Sequence, residues 1–302
     1  MGNGDKKSIL AGNMACFAAY LIFGFNIVCC KNISNSGLVP PMALFCLRSV
    51  GALVLFWISS LFIKDEKKME KGDLWKVAVA AFLGLFLTLV SFLKAITMTT
   101  AVDASILSLL SPVMTMIIAA IVLKDKITRN GVIGLAISFA GVLFIVLNTV
   151  GNDGGAQSTS ILGVLLMIVN ALSFASYVGI FKPLIQKYHV VTFMKWMFTF
   201  STLYALPFGF RQTIEVPYSQ IPSDVLAQLA FVVVGATYVS YFLIPIGQKR
   251  LKPMIVCMYS YVQPVIAMGI SLALGLDVIT WQKALATLFV FLGVGIVNFT
   301  RK

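Results

Sequence analysis

Polar side chains are few in this 302-residue chain, and their spacing sets them apart. Thr88, Ser91 and Lys94 recur at three-residue steps; Ser105, Ser108, Ser111 and Thr115 follow at steps of three and four, as do Asn170, Ser173 and Tyr177. On a helix those steps gather each set on one face. Tyr238 and Tyr241, then Tyr259, Tyr261 and Gln263, supply further hydroxyls and an amide, and Asn26 interrupts the apolar run FGFNIV. Such groups hold a small amphipathic solute by hydrogen bonds and ring contacts. A single serine among them serves helix packing; the stripes taken together point to a lined cavity with a small-molecule substrate.

Bond-making chemistry is not what these residues offer. A serine or cysteine nucleophile needs a base beside it, yet His189 is the only histidine and falls between apolar runs. Cys16, Cys29, Cys30, Cys46 and Cys257 lie inside such runs without metal-ligand spacing, and read as small apolar fillers. No glycine-rich loop ending in Lys-Ser or Lys-Thr occurs to cradle a nucleotide phosphate. The sequence predicts a non-enzyme with no cofactor and no metal, and a membrane enzyme acting on lipid would need an acidic or histidine cluster that is missing from it.

The elements that must position these residues are membrane helices. Hydrophobic residues make up 59% of the chain and charged residues 11%, with a mean hydropathy of +0.96, far from the composition of a soluble domain. A helix needs roughly 20 apolar residues to cross a bilayer. Ten such spans can be placed, at 9–30, 41–62, 74–93, 104–122, 131–150, 161–181, 191–210, 226–247, 254–274 and 281–299. Stretches such as LATLFVFLGVGIV lack the alternation of a barrel strand. The net charge of +12 is then a matter of topology rather than of nucleic acid, which is not expected as a partner. With the N terminus cytoplasmic, eighteen lysines and arginines fall on its side of the membrane, against Lys31, Arg211 and Lys283 on the other, as the positive-inside rule requires of cytoplasmic loops. Both termini are expected in the cytoplasm.

The chain also repeats itself. Residues 108–142 and 260–294, offset by 152, agree at eleven of 35 positions, among them Pro112/Pro264, Asp125/Asp277 and Gly141/Gly293. The lysines of KDKIT are absent from its copy LDVIT. Five helices per unit is an odd number, so the second unit enters from the opposite side and that loop moves to the face where cations are excluded. Two inverted five-helix repeats follow, spanning 1–150 and 161–302. Transporters built this way hold substrate near the midplane between halves that rock. Pro112 and Pro264 each remove a backbone donor and free the carbonyl four residues earlier, at Ser108 and Ser260; both read as helix hinges. Arg48 and Lys94 are ionisable groups at or near membrane depth, where charges are costly. Arg48 reads as architectural. Lys94, at the end of its span, either faces substrate, snorkels to the interface or pairs with Asp103.

Three stretches carry a family resemblance. FGFNIV in the first span, the arginine of LFCLRSVGALVL in the second, and KAITMTTAVDASILSLLSPVMTMIIAAIVLKDKIT together resemble the drug/metabolite transporter superfamily, EamA type, over essentially the whole chain. Where that family usually has glutamate before the Leu/Ile-Thr, both copies here carry aspartate, Asp125 and Asp277, which are given a structural role. The resemblance implies ten helices in a five-plus-five arrangement, a central cavity, and export or exchange of small metabolites. Cavity residues are expected to be Asn26, Thr88, Ser91, Lys94, Ser108, Ser111, Asn170, Tyr177, Tyr238, Tyr241, Tyr259 and Gln263. The tyrosines favour amino acids or other amphipathic and aromatic solutes. A sugar-phosphate exchanger would present several cations, and a membrane scaffold would transport nothing. A monomer or weak homodimer in the bacterial cytoplasmic membrane is expected, the lipid bilayer being its surroundings.

Overall fold

The computed structural model describes residues 3–63, 68–122, 159–251 and 253–275 without interruption, with shorter stretches between 129 and 144 and between 280 and 296. All regular elements among them are helices: α1 (Asn3–Ser36), α2 (Pro41–Ser60), α3 (Lys71–Ile96), α4 (Ala101–Leu107), α5 (Leu110–Val122), α6 (Ile161–Ile180), α7 (Lys182–Lys187), α8 (Val190–Ile214), α9 (Ser223–Arg250), α10 (Pro253–Met258) and α11 (Val262–Ala273). Asp125, Asp277 and most of the fifth and tenth predicted spans lie outside the described residues. Within them, six helical stretches are long and apolar enough to cross a membrane.

Helix starts follow local chemistry. Pro41 opens α2, where its missing N–H is one of the groups left unbonded anyway. Thr100 and Ser160 accept hydrogen bonds from the N–H groups of Asp103 and Gly163, capping α4 and α6. The single histidine does the same work: His189 Nδ1 accepts from Val191 N–H at the start of α8.

The fourth and ninth predicted spans are each interrupted rather than continuous. α4 gives way to α5 at Ser108–Leu109, and α10 to α11 through a 3₁₀ turn at Tyr259–Tyr261. Pro112 cannot donate to the Ser108 carbonyl; Ser111 N–H donates to it instead at 3.1 Å, and Leu109 N–H donates to Ile106 at 3.0 Å. These three-residue bonds tighten the chain just before the proline. The second interruption falls at the same repeat positions, 152 residues on.

A second pair of distortions obeys the same offset. α3 contains a π-helical turn at Phe82–Leu87, and α9 contains one at Val234–Val239. Thr88 and Ser240, again 152 apart, donate their hydroxyls to the carbonyls five residues back, Leu83 at 2.7 Å and Gly235 at 3.3 Å. Each hydroxyl serves a carbonyl that the widened turn leaves poorly bonded.

The halves meet where α2 lies along α8. Ser49 and Ser201, themselves 152 residues apart, share a hydrogen bond of 3.0 Å. α1 packs on α9 and α11, and α6 on α3 and α5. Lipid supplies no hydrophobic drive for such contacts, so close approach through small residues matters. A Cβ on Gly84 would lie 2.6 Å from the Tyr177 ring, and one on Gly24 would lie 2.7 Å from Ile266.

Candidate functional site

These distorted helices surround a cavity of about 80 Å³. Its walls come from α1 (Tyr20, Phe23, Asn26, Ile27), α2 (Arg48), α3 (Thr88, Leu89, Phe92), α5 (Ser111), α6 (Asn170, Phe174), α9 (Tyr241) and α11 (Gln263), with Ser108 from the break between α4 and α5. Seven of the twelve cavity residues expected from sequence therefore meet: Asn26, Thr88, Ser108, Ser111, Asn170, Tyr241 and Gln263. Asn170 Nδ2 donates to the Thr88 carbonyl at 2.7 Å, which fixes the amide of α6 against the π turn of α3.

The other five lie elsewhere. Lys94 is exposed in the last turn of α3, where its charge suits the helix C terminus; Asp103, its suggested partner, is buried and accepts from Thr159. Ser91 turns back on its own helix and donates to the Leu87 carbonyl. Tyr177 packs on Gly84 and donates to Gln248 at 3.4 Å. The Tyr238 hydroxyl bonds Ser59 at 2.7 Å, and Tyr259 stands in the 3₁₀ turn, packed against the apolar cluster of Cys16, Leu251 and Val256. In the first four of these a hydroxyl finds a partner, or the ammonium an exposed position, away from the cavity lining. Pro112 and Pro264 follow the two interruptions directly.

Sequence reasoning missed the apolar wall and the weight of Arg48. Part of the wall was readable: Phe23 lies three residues before Asn26, Phe92 four after Thr88 and Phe174 four after Asn170, the spacings that share a helix face. Arg48 is 1% exposed. Its Nε donates to Thr237 Oγ1 at 2.9 Å and its Nη1 to Cys30 Sγ at 3.8 Å; Thr237 in turn donates to the Val232 carbonyl across the π turn of α9. Cys30 donates to Asn26 Oδ1 at 3.5 Å. Arg48 thus links α1 and α2 to the second half of the chain, through the π turn of α9.

At the N-terminal end of α3 a second polar group joins the halves. Lys187 Nζ bonds Asp73 at 2.6 Å and Glu70 at 2.5 Å, and the Tyr188 hydroxyl donates to Asp73 at 2.7 Å. Hydrogen bonds to Asp73, then to Glu70, push the Lys187 ammonium up from its ordinary range. Among the described residues no group of histidines, cysteines and carboxylates is arranged to hold a metal.

Among the described residues, six helical stretches of membrane length pack around a polar-lined cavity, the build of a multi-pass membrane protein. Comparison with known proteins sharpens this: the EamA-like transporter family matches twice, over residues 10–147 and 161–299, and the chain belongs to that family. It is 26% identical to "Uncharacterized transporter YetK" of Bacillus subtilis (strain 168) over 197 residues, which is 64% of this chain and 59% of that one. That match spans about three fifths of YetK's length. With "Uncharacterized transporter YyaM" of the same organism it shares 24% identity over 80% of this chain and 79% of the other. An Archaeoglobus fulgidus transporter, also uncharacterized, is 29% identical over 51% of this chain and 52% of its own. A solved structure described as "Crystal structure of protein" superposes with a TM-score of 0.64 at 16% identity, covering 96% of each chain; this is a likeness of fold.

Proposed function

We propose that this protein is a secondary transporter that moves small amphipathic or aromatic organic metabolites, amino acids or related solutes, out of the cell by alternating access. It does so as ten helices in two inverted five-helix repeats, 1–150 and 161–302, with both termini cytoplasmic, in the bacterial cytoplasmic membrane. The observation that carries this reading is the cavity's position among paired distortions. A π turn and an interrupted helix recur in each half at the same 152-residue offset, and residues on or beside them, Thr88, Ser108, Ser111, Tyr241 and Gln263, line the cavity. Inverted-repeat transporters place substrate between halves that rock, beside irregular helices. Pro112 and Pro264 are the hinges on which α5 and α11 pivot. Asn26, Asn170 and Gln263 orient the solute, and the aromatic wall holds its apolar body. The Glu70–Asp73–Lys187 group, on the side expected to be cytoplasmic, holds the halves closed there and must part when the site opens inward.

A sugar-phosphate exchanger is the weaker reading, because the exposure of Lys94 leaves Arg48 as the single formal charge among the lining residues described. The test is uptake into proteoliposomes of a labelled panel of amino acids and aromatic metabolites, with protein shown to be folded. Saturable, protein-dependent uptake of one class is expected. No uptake of any member would leave a membrane scaffold instead.

A further inference from the structure

The cavity holds one formal charge, and it belongs to Arg48. The side chain is 1% exposed, lines the cavity, and among the described residues has no carboxylate within ion-pairing distance. A guanidinium carries five N–H donors in a rigid fork. Two directions are used, toward the Thr237 hydroxyl and the Cys30 sulfur, both neutral and the second a weak acceptor. A buried charge left without a counter-charge is costly, and the fork matches a carboxylate better than either present partner. The Tyr20 hydroxyl lines the same cavity, is 2% exposed, and has no hydrogen-bond partner among the described residues. No acidic side chain is among the described lining residues.

We infer that the substrate is an organic monoanion, a carboxylate carried on an apolar or aromatic body, with Arg48 as its counter-ion. This rests on the transporter reading and replaces its amino acids with monoanions that carry no ammonium. A dianionic phosphate would need cations that the wall does not hold, and the ammonium of a zwitterion would meet no carboxylate there. Phe23, Phe92 and Phe174 take the apolar body, and Asn170 and Gln263 bond what polar groups it carries. Arg48 is then a specificity-determining residue that touches the substrate. Its link through Thr237 to the π turn of α9 lets binding be felt in the second half.

The experiment measures binding to the purified full-length protein of four congeners that differ in charge: 3-phenylpropionate, 3-phenylpropanamide, phenylalanine and phenethylamine. The carboxylate is expected to bind about tenfold or more tightly than the amide, the scale of one charge-assisted hydrogen bond, with zwitterion and cation weaker still. R48Q should remove the difference between carboxylate and amide, and R48K should keep part of it. Equal binding of carboxylate and amide to the wild type, no binding of any congener, or a preference that survives R48Q would each overturn the inference. Should R48Q not fold, the wild-type series decides alone. Uptake of the same compounds into proteoliposomes separates the two readings. Carboxylate preference in binding without any uptake keeps the charge assignment and removes transport; uptake without charge preference does the reverse.

Discussion

At the scale of single residues, the site is defined by which polar groups have satisfied themselves locally. Ser91 and Lys94 share a face with Thr88 by spacing, yet Ser91 bonds its own helix and Lys94 ends exposed at the helix terminus. Periodicity gives a face; it does not say at which depth that face meets the cavity, nor which hydroxyl will fold back on a carbonyl. Asn170 and Asn26 were legible because an amide cannot satisfy all its groups within one helix. Arg48 was legible as a charge in a span, and its place in the cavity depended on contacts 189 residues away at Thr237, which no local pattern contains. Two outcomes follow. Asn170→Ala should cut the specific uptake rate severalfold or more while the protein stays folded, and Lys94→Ala should leave uptake unchanged; initial-rate assays in proteoliposomes check both.

At the scale of whole elements, the distortions recur at the 152-residue offset. The paired π turns were not readable from propensity, since FLGLFL and VGATYV share no identity at equivalent positions and nothing in either marks a π turn. Only the hydroxyls that follow or close them, Thr88 and Ser240, betray a common need. The helix breaks were readable because a proline has a fixed backbone consequence. Restoring the missing N–H with Pro112→Ala or Pro264→Ala should straighten the helix and slow uptake severalfold, with the apparent affinity nearly kept; a transport rate at wild-type level in both variants would remove the hinge role. Packing gives a separate prediction. Gly84→Ala pushes a Cβ into the Tyr177 ring, whereas Gly269 has nothing within 4 Å of its Cβ position. Overpacking of this kind costs about 1–3 kcal/mol, so thermal unfolding should show a lowered midpoint for Gly84→Ala and none for Gly269→Ala.

For the molecule as a whole, composition alone gives a multi-pass helical membrane protein, and the duplication gives two halves whose meeting place Ser49 and Ser201 mark. Sequence could not say how the halves are fastened at their ends, because Glu70, Asp73 and Lys187 come together only through the packing of separate helices. That fastening should be insensitive to pH across the neutral range. The folded Lys187 value lies above its ordinary one, so its contribution is complete below about 10.4 and is lost only as pH rises through the higher folded value. Thermal unfolding of Lys187→Met against wild type should therefore differ by a constant amount through neutral pH and converge only in strong alkali.

On the proposed function, substrate crosses the membrane through the cavity bounded by Asn170, Gln263 and Arg48. This claim is tested most directly by filling that cavity with a large side chain. Proteoliposomes carrying wild-type protein, Asn170→Trp or Lys94→Trp would be compared for uptake of whichever labelled solute the wild type moves, with folding verified for each. Loss of uptake in Asn170→Trp with retention in Lys94→Trp is the predicted result. Undiminished uptake in Asn170→Trp would contradict the claim and place the pathway elsewhere in the fold.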